Sequence, residues 1–144
     1  MSTVLKDEVS TASAAAEWAS RLQPGDVVLL SGDLGAGKTT WVRHAAKALG
    51  SPAPVSSPTF ALIHEIAGGR VDLCHTDLYR LTFPADPSQF GLDEYLDGHW
   101  VVLVEWPERL ATRLTNGRCW RIRFEILAGG ERVLNIEGPG EVSD

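Results

Sequence analysis

Val27-Val-Leu-Leu-Ser-Gly-Asp-Leu-Gly-Ala-Gly-Lys-Thr-Thr-Trp41 sets a short apolar run, a glycine-rich turn and the start of a helical pattern end to end. The run Val27 to Leu30 is too short for a helix, half β-branched and bounded by turn formers, so it reads as a buried strand. Beyond the turn, Trp41, Ala45, Ala48 and Leu49 share one face of a helix that begins near Lys38 and stops at Gly50. Strand, glycine-rich turn, helix is the setting a phosphate-binding loop requires, and Gly32 to Thr39 satisfies its pattern, Gly-x-x-x-x-Gly-Lys-Ser/Thr.

The residue types explain the chemistry. Gly35, Ala36 and Gly37 let backbone N–H groups curl around phosphate oxygens, and the helix N-terminus adds its positive dipole. Lys38 supplies a point charge between the outer phosphates, the Thr39 hydroxyl is a ligand for Mg²⁺, and Thr40 adds a hydroxyl toward the inner phosphate. Guanine selection in common GTPases uses an Asn-Lys-x-Asp segment, but neither Asn116 nor Asn135 is followed by Lys, which favours ATP.

Such a loop needs a further carboxylate at the carboxyl end of a neighbouring buried strand. Glu105 follows Val101-Val-Leu-Val104 and precedes Trp106-Pro107; Asp77 ends Val71-Asp-Leu-Cys-His-Thr-Asp77. Either could hold Mg²⁺ while the other orients the attacking water. His75 shares a strand face with Asp77 and is expected to be a partly buried imidazole with a backbone partner. Trp106 is expected at the edge of the site, stacked on a base or on a partner, whereas Trp18, Trp41, Trp100 and Trp120 fall on apolar faces and read as core.

Outward from the loop, Ser10 or Thr11 caps a helix carrying Ala15, Trp18, Ala19 and Leu22, stopped by Pro24-Gly25. Phe60 to Ile66 and Val71 to Asp77 flank Gly68-Gly69 as a hairpin. Asp86-Pro87 opens a short helical stretch with Phe90, Leu92, Tyr95 and Leu96. Trp120, Ile122, Phe124 and Ile126 alternate with polar residues before Gly129-Gly130 turns the chain into Val133 to Ile136. The fold class expected is α/β, a three-layer sandwich of the P-loop NTPase kind, with a mixed, mostly parallel central sheet and a C-terminal β-hairpin. Residues 1–137 read as one domain and 138–144 as a flexible tail.

The 144 residues are 44% hydrophobic and 22% charged, the balance of a globular domain. Cys74 and Cys119 have no ligand spacing and read as reduced thiols. The amino terminus has no signal-peptide run, and no stretch approaches the ~20 apolar residues of a membrane span, so a cytoplasmic protein with no membrane association is expected. A net charge of −6 repels phosphate backbones and disfavours a stand-alone nucleic-acid binder.

Four ordered motifs, Gly32-Asp-Leu-Gly-Ala-Gly-Lys-Thr-Thr40, Ser57-Pro-Thr-Phe60, His75-Thr-Asp-Leu-Tyr-Arg-Leu81 and Val104-Glu-Trp-Pro107, closely resemble those of the bacterial TsaE family. These are small P-loop ATPases required for making threonylcarbamoyladenosine in transfer RNA, and the resemblance runs from about Val4 to Ile136. It implies low intrinsic ATP hydrolysis and action on a partner complex, the TsaB-TsaD pair, with tRNA reached only indirectly through those partners. It further implies that Thr39 and Glu105 bind Mg²⁺, that Asp77 orients water, and that Thr59 sits in a loop sensing the γ-phosphate. By the same resemblance Glu8 and Thr11 lie near the adenine and Gly130 approaches the nucleotide.

Two other readings compete. A small-molecule kinase would need an acceptor pocket and an arginine-bearing lid, yet residues 78 to 100 contain one Arg, Arg80, and no Lys. Arg121 and Arg123 read instead as a solvated sheet face. A nucleotide-gated binding module without useful turnover differs from the ATPase only in rate.

Overall fold

A computed structural model describes residues 2–33, 35–52, 62–112, 114 and 117–140. In chain order these form β1 (Ser2–Leu5), α1 (Glu8–Ala19), β2 (Val27–Gly32), α2 (Lys38–Ala48), β3 (Ile63–Ile66), β4 (Leu73–Asp77), β5 (Val101–Glu105), β6 (Cys119–Ile126) and β7 (Arg132–Glu137). The strands make one sheet in the order β1-β7-β6-β2-β5-β4-β3. Its centre, β6-β2-β5-β4, is parallel, and antiparallel pairs close both edges. This is the α/β architecture expected, with β6 and β7 forming the C-terminal hairpin.

Alternation along the central strands sorts the side chains onto two faces. Val28, Leu30, Leu73, Val101, Leu103, Trp120 and Ile122 face α1 and α2 and share a core with Trp18 and Trp41. The three indoles form its centre: Trp18 lies 5.6 Å from Trp41 and 6.0 Å from Trp120 between ring centroids, the second pair edge to face. Val27, Cys74, Val102 and Val104 point the other way, onto Leu78, Leu92 and Leu114. Short 3-10 turns rather than long helices cover that second face.

Several boundaries differ from expectation. α1 starts earlier than a Ser10 or Thr11 cap would allow. Asp7 is the cap: its carboxylate accepts from the Ser10 amide at 2.8 Å, and the Ser10 hydroxyl accepts from the Asp7 amide at 3.1 Å. The stretch after Asp86 is two 3-10 turns, Pro87–Gln89 and Leu92–Tyr95, because Gly91 interposes a left-handed residue at φ 85°. Strand β1 had no sequence-level expectation; its antiparallel pairing with β7 makes it a strand. Trp100 is half-buried beside the second core, while Trp18, Trp41 and Trp120 are fully buried.

Parallel pairing brings the carboxyl ends of β2, β4 and β5 to one edge, with Leu30 and Asp77 both in register with Glu105. At the opposite edge the buried Asp26 carboxylate accepts from Arg118 Nε at 2.7 Å, Trp120 Nε1 at 2.9 Å and the Gln23 amide at 3.0 Å. One side chain thus ties the starts of β2 and β6 to the loop after α1.

Candidate functional site

The glycine-rich turn leaves β2 at Gly32 and enters α2 at Lys38. A Cβ on Gly32 would stand 2.6 Å from the Phe124 carbonyl, so the close crossing of β6 requires glycine there. Gly37 caps α2 in the left-handed region at φ 105°, which aims the first amides of the helix into the cleft. The cleft encloses about 440 Å³. Gly35, Ala36, Gly37, Lys38, Thr39, Thr40, Asp77, Glu105 and Trp106 line it, as do Glu8 and Thr11 of α1. Those sequence-derived positions therefore converge on one cavity. Gly130 is placed elsewhere, at the tip of the β6–β7 hairpin with open space around it, and Thr59 lies outside the described residues.

Lys38 is almost wholly buried, and its ammonium donates to the carbonyls of Gly32 and, at 3.0 Å, Asp33. Burial pushes its pKa down, and the negative charges of Glu105 and Asp77 oppose that shift. Trp106 supplies the roof: its backbone is left-handed at φ 60°, and its ring lies 5.1 Å from Tyr79 and 4.5 Å from the Lys38 ammonium.

Alternation puts Glu105, Asp77 and His75 on the α2 side of the sheet, beneath the loop. The Thr39 hydroxyl donates to the Glu105 carboxylate at 3.0 Å, with the second oxygen at 3.3 Å. Glu105 is buried and also meets His75 Nε2 at 2.6 Å. The expected backbone partner of His75 is therefore corrected: the ring is fully buried and its partner is a carboxylate, because the neighbouring parallel strand presents Glu105 to the same face. Asp77 is half-buried and accepts from the Tyr79 amide at 3.0 Å. Burial raises its pKa, the charge of Glu105 adds to that, and the Tyr79 amide, His75 and Lys38 pull against it.

Sequence reasoning missed Arg132. Its guanidinium donates from Nε to the Ala36 carbonyl at 3.1 Å and from Nη2 to the Gly35 carbonyl at 3.2 Å, clasping the loop from the final hairpin. A signal was present: Arg132 is in phase with Leu134 and Ile136, the apolar face of β7. Arg121 and Arg123 alternate with the buried residues of β6 and border a separate groove of about 380 Å³.

An oxygen-donor pair of hydroxyl and carboxylate beside a glycine-rich loop at a helix N-terminus suits Mg²⁺, which takes one or two protein oxygens and completes its shell from ligand oxygens and water. Among the described residues no group of three or more His, Cys, Asp or Glu could hold a metal by itself. No helix among them is long and apolar enough to cross a membrane.

Comparison with known proteins gives concordant matches. The family model TsaE, described as threonylcarbamoyl adenosine biosynthesis protein TsaE, matches residues 5–133. The tRNA threonylcarbamoyladenosine biosynthesis protein TsaE of Bacillus subtilis (strain 168) is 43% identical over 118 residues, covering 82% of this chain and 73% of that protein. Its namesake in Rickettsia felis is 36% identical over 134 residues, covering 92% and 77%. The crystal structure of Bacillus subtilis YdiB superposes with a TM-score of 0.74 at 32% identity, covering 97% of this chain and 86% of that one.

Proposed function

The chain belongs to the TsaE family of threonylcarbamoyladenosine biosynthesis proteins, and we propose that it is the Mg²⁺-dependent ATP-binding and ATP-hydrolysing member of that tRNA-modification system. The observation that carries this reading is the 3.0 Å contact between the Thr39 hydroxyl and the Glu105 carboxylate at the start of the helix that Lys38 opens. Thr39 and Glu105 hold the metal, whose chemistry when bound is to neutralise charge on the phosphate oxygens. Lys38 leaves the carbonyls it now caps and binds the outer phosphates. The amides of Gly35, Ala36 and Gly37, with the Thr40 hydroxyl, hold the inner phosphates. Asp77 orients the attacking water, and its raised pKa fits a carboxylate kept in a partly desolvated place.

In this reading residues 1–137 act as one nucleotide-binding domain in the cytoplasm, with Glu8 and Thr11 toward the base and Trp106 at the rim. The occupied site governs docking on the TsaB-TsaD pair. A net charge of −6 supports reaching tRNA through those partners rather than directly. The groove bearing Arg121 and Arg123 is separate from the phosphate cleft, which weighs against a kinase lid.

Mixing the protein with the TsaB-TsaD pair and ATP, and following complex formation and phosphate release together, tests the proposal. A nucleotide-dependent complex with faster hydrolysis is expected. Hydrolysis indifferent to the pair, or phosphate transferred to a small acceptor, overturns it.

A further inference from the structure

We propose that His75 is a positioning residue for the metal-binding carboxylate, holding Glu105 against Thr39; this rests on the reading of Glu105 as a Mg²⁺ ligand. The two side chains lie on adjacent parallel strands. His75 is in register with Leu103, so its imidazole reaches diagonally along the shared face to the residue two positions further on. Nε2 and the carboxylate oxygen Oε2 are 2.6 Å apart, and the side chains are 0% and 3% exposed. That oxygen also receives the Thr39 hydroxyl at 3.0 Å, whereas Oε1 makes the longer 3.3 Å contact. Two donors therefore converge on one oxygen and fix the plane of the carboxylate.

The rest of the imidazole argues the same way. Nδ1 is buried with no hydrogen-bond partner among the described residues, so the bond to Glu105 is what orients the ring. For core packing alone, an aliphatic side chain beside Leu73 and Leu103 would leave no polar nitrogen orphaned. The imidazole is accounted for by what it does to Glu105. A buried carboxylate with no such donor would turn toward whatever donor it could reach, and the ligand oxygens would lose their common orientation.

The test is the affinity for ADP, which is not turned over, measured by calorimetry with Mg²⁺ and again with EDTA. In His75→Asn the amide stops short of Glu105, and the gain in ADP affinity conferred by Mg²⁺ falls about tenfold or more. In His75→Gln the amide nitrogen reaches the place of Nε2, and most of that gain returns. Affinity in EDTA stays the same in both. Equal Mg²⁺ gains in wild type and His75→Asn, or equal losses with and without the metal, overturn the inference. Glu105→Gln separates this from failure of the underlying reading: if it too leaves the Mg²⁺ gain intact, Glu105 is no ligand. In the unaltered protein, independently of how any variant folds, the His75 imidazole nitrogen resonances shift when Mg²⁺ joins bound ADP. No shift contradicts the proposal.

Discussion

The ammonium of Lys38 lies 4.5 Å from the centre of the Trp106 indole, so the cation of the glycine-rich loop rests against the ring that roofs the cleft. A triphosphate bound in the cleft would draw Lys38 from the carbonyls of Gly32 and Asp33, and the indole would register the change. ATP is therefore expected to alter tryptophan emission, and Trp106→Phe to abolish that change. Trp100→Phe serves as the control, since Trp100 does not line the cleft. A signal that survives Trp106→Phe would place the nucleotide elsewhere.

Asp77→Asn should trade stability against turnover. Burial raises the Asp77 pKa, so the folded state holds its proton more tightly than the unfolded chain does. As pH rises from the ordinary carboxylate range through that raised value, the native state carries the extra proton and stability falls. Above it the full penalty of the buried charge persists. The variant should melt above wild type at pH 7, with the difference vanishing in acid below the ordinary range. Its hydrolysis should drop about 100-fold while nucleotide affinity holds. Paired melting curves and turnover assays decide it.

Arg132→Ala removes both donors to the loop carbonyls of Gly35 and Ala36. The loop then loses its brace, and ATP affinity measured by calorimetry should weaken about tenfold, equivalent to ~1.4 kcal/mol. The melting temperature should change little, because the guanidinium is outside the tryptophan core.

Asp26→Ala acts at the far edge of the sheet. Trp120 Nε1 and the Gln23 amide lose their buried acceptor and Arg118 its partner, so about 3 kcal/mol of stability should be lost in urea titrations. Nucleotide affinity extrapolated to native conditions should be unchanged, since Asp26 precedes β2 and the cleft lies beyond its other end.

What could be read from the sequence was local. The loop, the helix from Lys38 to Gly50 and the strand-end carboxylates Asp77 and Glu105 follow from patterns a few residues long. The pairings that complete the site are not local. His75 meets Glu105 across 30 residues, and Arg132 meets Ala36 across 96. No window around His75 distinguishes a carboxylate partner from a backbone one. Strand β1 escaped for the same reason: four residues carry little periodicity, and pairing of Val4 with Val133 supplies what the segment lacks. Even α1, legible as a helix, starts ahead of Ser10, because Ser10 serves as the reciprocal member of a capping box whose other half is Asp7.

Titrating ATP into wild type and Lys38→Ala by calorimetry in Mg²⁺, with melting curves of both, decides whether the loop around Lys38 is a Mg²⁺-dependent ATP site. Saturable binding to wild type is expected, with at least a tenfold weaker affinity in the variant, equivalent to about 1.4 kcal/mol or more. The fold survives the substitution, because the ammonium faces the cleft rather than the core. Wild-type affinity in a folded Lys38→Ala protein, or no ATP binding to wild type at all, would contradict an ATP site at this loop.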